Sequence, residues 1–319
     1  MKSRFLLIRW GGLGDLLVAL PAIRALRHAF PSVHLTLVGR PGYASLMREA
    51  GVIDDVIDGG GPVARRLFSG SEPSSTEAVD GKWLDAFDLV LGWLNQKESC
   101  LIDADGGAPG GGRRLKTISY EIGSGKPINR FFYEKTINTL EIAASAAADF
   151  DECARLPLDS ISSGANLLVS RLEPRKRRFV VLHPGSGGEA KRWRLANFLE
   201  IARRLKDLGL GGAIVTGEAE ALLEQEAGEA ARSLGWDWLR SPELAPLARL
   251  LGGIDLYLGN DSGVTHLAAS CGAEVIALFR DDLLDAWHPA GRVHALSAGS
   301  LDRIPVEAVW AAVAQVLCI

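Results

Sequence analysis

The sequence has few cysteines, no strong excess of charge of either sign and no long apolar run. The thiols of Cys100, Cys153, Cys271 and Cys318 lie far apart in the chain and form no C-x-x-C pair, so we expect reduced cysteines and no zinc site. No stretch approaches the roughly 18 unbroken apolar residues of a membrane span. Charged residues near the N-terminus also interrupt any signal-peptide core. These absences predict a cytoplasmic protein.

The balance of charge argues against a nucleic-acid partner. Lys and Arg number 35 against 39 Asp and Glu, which gives a formal net charge of −4, whereas nucleic-acid-binding domains usually carry a basic face. The one basic run is RLEPRKRR, Arg171–Arg178. We interpret it as a solvated helix end and linker, with a patch facing anionic lipid or an acidic acceptor as the alternative. Peripheral contact with a membrane therefore stays open.

Strand and helix patterns alternate along the chain. The stretches FLLIRW, LLVALPAIRALRHAF and HLTLVGR form a βαβ unit, which predicts parallel strands covered by helices. A second such series begins at FVVLHPG, and 319 residues exceed what one core usually holds. We therefore predict two Rossmann-like α/β domains, residues 1–160 and 161–319. Ligands of such folds bind outside the carboxyl ends of the strands, so a cleft between the two sheets is expected.

Four further segments complete the predicted organisation. Gly59–Gly81 and Asp105–Gly112 are rich in glycine, proline or serine and are predicted as loops. Phe131–Ala148 is predicted as the helical stretch that closes the first half. The last residues, VEAVWAAVAQVLCI, form an apolar-rich helix.

The stretch HPGSGGEAKRW follows an apolar strand, and a helix is predicted to begin after it. Glycines such as Gly187 let backbone N–H groups approach an anion closely, Ser186 can donate a hydroxyl proton, and Lys191 adds a positive charge. The Walker A pattern G-x-x-x-x-G-K-[ST] is absent. The pattern indicates a phosphate-binding turn, and the alternative is an ordinary turn with an exposed lysine.

A second polar turn, GNDSGVTHLAA, joins another strand to another helix. A helix that begins near Gly263 offers unpaired N–H groups and the positive end of its dipole to a phosphate. Asp261 or Ser262 is equally suited to cap that helix, and His266 is open to interpretation as a packed histidine. Because a glycine-rich turn lies one unit earlier, we favour a second part of the same phosphate site.

The stretch RWGGLGD near the N-terminus places Gly11, Gly12 and Gly14 between a strand and a helix. It is not G-x-G-x-x-G, and the second strand ends in Arg40 rather than in the acidic residue that dinucleotide binding needs. Asp15 is either the N-cap of the helix or a carboxylate that faces the cleft as a general base. A phosphate-binding half opposite a carboxylate-bearing half suits group transfer from a nucleotide.

Together these three motifs resemble those of glycosyltransferase family 9, the ADP-heptose:lipopolysaccharide heptosyltransferases and their relatives. RWGGLGDLLVALPAIRALRHAFP is similar to the N-terminal signature of that family. HPGS with a following Lys-x-Trp is similar to its donor-phosphate loop, and NDSGVTHLAA to its most recognisable motif. The similarity also includes VTGEAE, whereas residues 58–157 match little.

The resemblance implies a GT-B fold, in which two Rossmann-like domains with parallel sheets face each other across a cleft and the C-terminal helix returns towards the first domain. It implies an inverting transfer that needs no metal ion and no cofactor. A heptose-like sugar would move from a nucleoside-diphosphate donor, ADP-linked in this family, to a lipopolysaccharide core or another glycan acceptor. The enzyme would act in the cytoplasm, with peripheral contact at the inner face of the inner membrane. No oligomeric state is indicated.

The resemblance also implies roles for particular residues. Asp15, beside the glycine turn, would deprotonate the acceptor hydroxyl, and Glu220 in VTGEAE would bind the ribose hydroxyls. The donor diphosphate would be held by a larger set: Ser186, Gly187, Lys191, Asp261, Ser262, Gly263, Val264 and His266.

The chain departs from the family pattern at three places and leaves other functions open. One is the glycine-rich loop Gly106–Gly112, which replaces a region that elsewhere in the family helps to shape the acceptor side. After EVIALF the family usually has Gly-Pro-Thr, but here Arg280–Pro289 is expected as a loop near the sugar or the acceptor, and the usual proline after Lys-x-Trp is Arg194. Trp83, Trp93 and Trp287 are candidates for stacking on sugar rings, although core packing is favoured. The alternatives are a nucleotide-sugar epimerase and a non-catalytic relative that binds a nucleotide or a glycan.

Overall fold

The computed structural model of the protein describes residues 2–62, 81–94, 114–120, 125–143, 146, 148–162, 172, 178–217 and 223–319. The chain divides into two compact units, Met1–Ala154 and Arg155–Ile319. The division falls slightly before the predicted boundary between residues 160 and 161. The reason is that the next segment already belongs to the second unit, where the backbone N–H of Leu156 donates to the carbonyl of Ser270 at 2.8 Å.

The first unit is built on a five-stranded parallel sheet of order β3-β2-β1-β4-β5. The strands are β1 (Arg4–Ile8), β2 (His34–Gly39), β3 (Asp55–Asp58), β4 (Leu89–Leu94) and β5 (Arg114–Ser119). The helices are α1 (Leu13–Ala29), α2 (Pro41–Glu49), α3 (Ile128–Thr139) and α4 (Phe150–Cys153), with a 3₁₀ helix at Gly81–Ala86. β2 and β4 are almost entirely buried, as strands covered on both faces are.

The second unit contains a six-stranded parallel sheet of order β11-β10-β9-β6-β7-β8. The strands are β6 (Phe179–His183), β7 (Gly211–Thr216), β8 (Asp237–Arg240), β9 (Leu256–Asn260), β10 (Val275–Arg280) and β11 (Val293–Ala298). The helices are α5 (Leu195–Asp207), α6 (Glu224–Leu234), α7 (Leu244–Leu251), α8 (Gly263–Ser270), α9 (Asp281–Trp287) and α10 (Val306–Leu317), with 3₁₀ helices at Leu158–Ser160, Glu189–Lys191 and Leu301–Arg303. Both units thus confirm the prediction of two Rossmann-like parallel α/β layers.

The strand order of each sheet places the predicted motifs where that order reverses, at the carboxyl ends of the strands. In each sheet the first strand of the unit lies between later strands: β1 between β2 and β4, and β6 between β7 and β9. Ligands of open parallel sheets bind at this reversal of strand order, beyond the carboxyl ends of the strands. RWGGLGD follows β1, HPGSGG follows β6 and NDSG follows β9. The last two turns are neighbours, because His183 pairs with Gly259 across the sheet.

Two local predictions are wrong. Arg280–Pro289 is not a loop, because it contains α9, whose first-turn carboxylates Asp281 and Asp282 suit a helix N-terminus. The helix predicted to reach Ala148 ends at Thr139, since Glu141 adopts a positive φ of 51°. The C-terminal helix α10 packs Val309, Val313 and Leu317 in a core of the second unit. The return of this helix towards the first unit, which the resemblance implied, stays a prediction.

Other predictions are only partly covered by the described residues. Residues 63–80 of one predicted loop, all of Asp105–Gly112 and most of the basic run lie outside them, as does Cys100. Cys153 and Cys271 are buried free thiols and Cys318 is an exposed one; burial raises the pKa of Cys153 to about 11. Among the helices in the described ranges, none is both long and apolar enough to cross a membrane.

Candidate functional site

The side chain of Asn260, the last residue of β9, connects the two polar turns of the second unit. It is fully buried. Its Nδ2 donates to the carbonyl of Pro184 at 2.8 Å, and its Oδ1 accepts from the backbone N–H of Trp193 at 3.0 Å. One amide therefore fixes both the start and the end of the stretch HPGSGGEAKRW against the neighbouring strand.

Ser186 makes a second connection between these turns. Its buried hydroxyl donates to the backbone carbonyl of Asp261 at 2.7 Å. The guanidinium of Arg192 in turn donates to the carbonyl of Ser186 from Nε at 3.2 Å and from Nη2 at 3.0 Å. The hydroxyl proton of Ser186 is thus used inside the protein, where it holds one turn to the other.

Lys191 is the cation that this arrangement presents. Its Nζ lies 2.6 Å from Oδ2 of Asp261, and the exposed fractions of the two side chains are 36% and 6%. A buried carboxylate needs such a partner, and an ammonium with three donors keeps two for another anion. Gly187 and Gly188 lie beside it, where an added Cβ would meet nothing within 4 Å. The ammonium of Lys191 and the backbone of these two glycines therefore lie next to solvent-accessible space.

Helix α8 begins at this point with Ser262 as its N-cap, and Asp261 is not the cap. The Oγ of Ser262 accepts from the backbone N–H of Thr265 at 3.3 Å. Gly263 and Val264 are the first helical residues and are half-buried, and N–H groups at such positions have no acceptor within the helix. The positive end of the helix dipole thus lies next to Lys191 in the chain's second unit.

Two buried histidines flank the cap. Nδ1 of His183 lies 3.3 Å from Oγ of Ser262, and burial, followed by the charge of Arg192, lowers the pKa of His183 to about 4. The imidazole is therefore neutral at physiological pH. The ring of His266 makes an edge contact with the ring of Trp287, with centroids 6.4 Å apart and an interplanar angle of 79°. His266 is packed, as one interpretation of the sequence had it, and α9 supplies its neighbour.

In the first unit, Asp15 is held at the start of α1. Gly12 is the N-cap, and its N–H donates to Oδ2 of Asp15 at 2.8 Å, so Asp15 caps the helix from its third residue. This differs from the predicted N-cap position. Gly11 has a φ of +130°, and a Cβ there would lie 2.5 Å from Cγ of Asp15, so the carboxylate position requires glycine. Gly14 is half-buried in the first turn of the helix.

Arg9 is the residue that sequence reasoning missed. Its Nη2 lies 3.0 Å from Oδ1 of Asp15, its Nε donates to the carbonyl of Asp15, and its Nη1 donates to the carbonyl of Trp93 at 3.0 Å. The side chain of Arg9 is 9% exposed and that of Asp15 is 34% exposed. Each oxygen of Asp15 therefore accepts from one neighbour and keeps a lone pair for a further donor. An arginine at the end of a buried strand was the signal in the sequence.

Three candidates from the sequence remain: Glu220, Trp83 and Trp93. Glu220 and the side chain of Trp83 lie outside the described residues. Trp93 is buried and donates from Nε1 to Oγ1 of Thr136 at 2.9 Å, so it packs in the core. Across the described part of the chain, no group of three or more His, Cys, Asp or Glu residues is arranged to hold a metal ion.

Comparisons with known proteins identify the family of the chain. The model of glycosyltransferase family 9 (heptosyltransferase) matches residues 135–299. No curated protein sequence matches the chain.

Solved structures share the fold along the whole chain. ADP-heptose lps heptosyltransferase II of E. coli has a TM-score of 0.75 at 17% identity, covering 100% of this chain and 99% of that one. E. coli heptosyltransferase WaaC with ADP has a TM-score of 0.73 at 16% identity, covering 98% and 100%. A glycosyl transferase family 9 protein of Veillonella parvula has 0.71 at 17% identity, covering 99% and 97%.

The neutral state of His183 predicts a dependence of stability on pH. The folded pKa is about 4 and the ordinary value is 6.5, so only the unfolded chain takes up this proton between those values. The contribution of the neutral imidazole to the free energy of unfolding is fully present above pH 6.5. It is lost as the pH falls towards 4, by up to about 3 kcal/mol. Urea unfolding across this range should show a smaller loss for His183→Gln than for the wild type. Equal losses in the two proteins would contradict the assignment.

The buried amide of Asn260 predicts a large effect of a nearly isosteric substitution. Asn260→Leu leaves the N–H of Trp193 and the carbonyl of Pro184 without their partner, so the free energy of unfolding should fall by about 2–4 kcal/mol. Asn197→Leu on α5 is the control, because the half-buried side chain of Asn197 makes no hydrogen bond with the described residues. Urea unfolding measures both variants. A similar loss in each would show that the amide does not hold the turns.

Proposed function

The chain belongs to glycosyltransferase family 9, and from this we propose that it moves a heptose-like sugar from an ADP-linked donor to a lipopolysaccharide core or a similar glycan acceptor. As a member of the family it is a glycosyltransferase with the two Rossmann-like domains of the GT-B fold. We further propose that the transfer inverts the anomeric centre and needs no metal ion. Family membership favours transfer over the epimerase reaction that the sequence left open.

One observation carries the donor side of the proposal. Lys191, the exposed glycine turn at Gly187 and the first N–H groups of α8 occupy the reversal of strand order in the second sheet. Positive charge and backbone donors at such a place suit a diphosphate. The likeness to E. coli heptosyltransferase WaaC with ADP supports adenine as the first base to test.

The other donor-side residues receive roles that follow from their contacts. Ser262, Gly263, Val264 and His266 would line the phosphates at the start of α8. In our proposal Asp261 acts through Lys191, because a carboxylate beside a diphosphate is repulsive unless a cation neutralises it. Glu220 remains the proposed ligand of the ribose hydroxyls.

Ser186 holds the two turns together through the carbonyl of Asp261. Its place in the donor site is therefore that of a positioning residue in this proposal.

Asp15 is the proposed base on the acceptor side. Its carboxylate takes the proton of the acceptor hydroxyl while that oxygen forms a bond to the anomeric carbon. The bond from the anomeric carbon to the diphosphate oxygen breaks, and its electron pair leaves with the nucleoside diphosphate. Attack from the face opposite the leaving group inverts the centre. Lys191 and the start of α8 stabilise the charge on the departing group.

The proposal includes a cytoplasmic location, with the acceptor reached at the inner face of the inner membrane. A lipid-linked glycan acceptor is the reason for proposing peripheral contact there.

The first prediction concerns the donor. Calorimetric titration with ADP, UDP, GDP and CDP, with and without a chelator, should show selective binding of ADP that does not depend on metal. Lys191→Gln should weaken ADP binding by at least about tenfold, because a charge-assisted contact is lost. Lys206→Gln is the control, since Lys206 lies on exposed helix surface and donates to the carbonyl of Ser233.

The outcomes separate the parts of the donor hypothesis. Preference for another diphosphate would change the donor and keep the site. The absence of binding by all four nucleotides would overturn the proposed donor site and favour a non-catalytic relative.

The second prediction concerns Asp15. Asp15→Asn should lower transfer from ADP-heptose to a heptose-deficient lipopolysaccharide by about 10²–10⁴-fold, the usual contribution of a general base. Its affinity for ADP should stay within about twofold of the wild type. Asp54→Asn is the matched control, because Asp54 is also paired with an arginine, Arg27, in the same unit. Normal turnover by Asp15→Asn would leave Asp15 as a helix cap only.

A further inference from the structure

Four side chains beneath the start of α8 form a connected network, of which the proposed reaction uses only one member. The hydroxyl of Tyr257 lies 3.0 Å from Oγ1 of Thr265, which in turn lies 3.1 Å from Oγ of Ser262. That oxygen lies 3.3 Å from Nδ1 of His183. Three members are buried, whereas Ser262 is half-buried. The network therefore leads from the core of the second unit to the accessible start of α8.

Two adjacent strands bring these side chains to the same place. Tyr257 lies two residues before Gly259 on β9, so both residues share a face of the strand. A Cβ added at Gly259 would lie 2.5 Å from the hydroxyl oxygen of Tyr257, so the phenol extends along the strand over this glycine. His183 at the end of β6 pairs with Gly259 across the sheet. The phenol and the imidazole thus approach the first turn of α8 from neighbouring strands.

The acceptor of the Thr265 hydroxyl determines the direction of the hydrogen bonds around it. Oγ1 of Thr265 donates to the backbone carbonyl of Asn260, which can only accept. Because a hydroxyl has one proton, Oγ1 can only accept in its contacts with Tyr257 and Ser262. Both of those hydroxyls therefore donate to Thr265, and they fill its two lone pairs.

The same count at Ser262 determines the position of the proton on His183. The hydroxyl proton of Ser262 is directed to Thr265, and its oxygen already accepts the backbone N–H of Thr265. The contact with His183 is then a hydrogen bond only if the imidazole donates it. Burial keeps this imidazole neutral by lowering its pKa to about 4, so the ring has a single proton. In the arrangement that makes every contact a hydrogen bond, that proton is on Nδ1.

From this network we infer that His183, with its proton on Nδ1, is a positioning residue that orients the hydroxyl of Ser262 towards the diphosphate of the sugar donor. When a phosphate oxygen reaches the start of α8, the serine proton turns from Thr265 to that oxygen. The hydrogen bonds from His183 and from the N–H of Thr265 continue to fill the serine lone pairs. An imidazole without a proton on Nδ1 would instead accept the serine proton and turn it away from the phosphate.

The inference rests on the proposed function, because it takes the donor diphosphate as the ligand of Ser262. It adds a role for a buried histidine that does not itself touch the substrate. It also explains the buried phenol: when the serine turns, Thr265 keeps the hydrogen bond from Tyr257 and its own bond to Asn260.

The position of the ring proton gives the first test. Protein labelled with ¹⁵N-histidine would be studied at neutral pH by long-range ¹H–¹⁵N NMR, in which protonated and unprotonated ring nitrogens have different shifts. The chain has six histidines, and the spectrum of His183→Asn identifies the signals of His183. We expect the proton on Nδ1 both with and without ADP. A proton on Nε2 alone would overturn the inference.

Substitutions of His183 give the second test. His183→Leu removes the hydrogen-bond donor to Ser262 and should weaken ADP binding about three- to tenfold, the size of one hydrogen bond. His183→Asn has an amide nitrogen on Cγ, where the imidazole has Nδ1, and should restore the affinity to within about twofold of the wild type. His294→Leu is the matched control. The side chain of His294 is exposed on β11 of the same unit, so this variant should bind ADP as the wild type does.

A double substitution separates an effect through Ser262 from a general loosening of the fold. Ser262→Ala removes the hydroxyl and should weaken ADP binding about tenfold. If His183 acts through this hydroxyl, adding His183→Leu to Ser262→Ala should weaken binding no further. Fully additive losses would mean that His183 affects the site by another route, and would overturn the inference. Thermal unfolding of each variant checks that it is folded.

The results that overturn this inference differ from those that overturn the proposed function. A wild-type protein that binds none of the four nucleoside diphosphates would overturn the donor site. A protein that binds ADP keeps the proposed donor site, but it loses the role of His183 under any of three results. These are a ring proton on Nε2, equal losses in His183→Leu and His183→Asn, and additive losses in the double variant.

Discussion

The buried amide of Asn260 is the interaction on which the geometry of the second unit's site depends. It connects the end of β9 to both ends of the turn after β6, in a place where water cannot replace it. The hydrogen bond from Ser186 to Asp261 and the ion pair of Lys191 with Asp261 can form only when the two turns lie in this register. The cap at Ser262 follows directly along the chain.

Each unit has an ion pair among its candidate site residues, and the two pairs differ in which partner is buried. In the second unit the carboxylate of Asp261 is buried and the ammonium of Lys191 is accessible. In the first unit the guanidinium of Arg9 is buried and the carboxylate of Asp15 is accessible. One unit thus offers a cation and the other an anion, each held by a partner behind it. In the proposed reaction, the cation suits a diphosphate leaving group and the anion suits a hydroxyl acceptor.

Much of the fold could be predicted because the glycine-containing turns of all three motifs follow apolar strands, and parallel strands place such turns at one edge of the sheet. The sequence could not show how deeply each polar side chain is buried or which residue it contacts. Asp261 and Ser262 are equally good caps on paper, and only the backbone at β9 decides for Ser262. The pairing of Arg9 depends on a strand more than eighty residues later. Arg280–Pro289 was expected to be a loop but contains a helix, and the acidic residues of its first turn were visible in the sequence.

The indole of Trp10 lies against Gly59, the residue after β3, and this contact has a consequence for how this family of sequences can vary. The indole and a side chain at position 59 compete for one volume, since the ring already occupies the place of the missing Cβ. A homologue with a side chain at position 59 must therefore have a smaller residue at position 10. The two positions are therefore expected to covary among homologues, with a large aromatic residue at one only where the other has glycine.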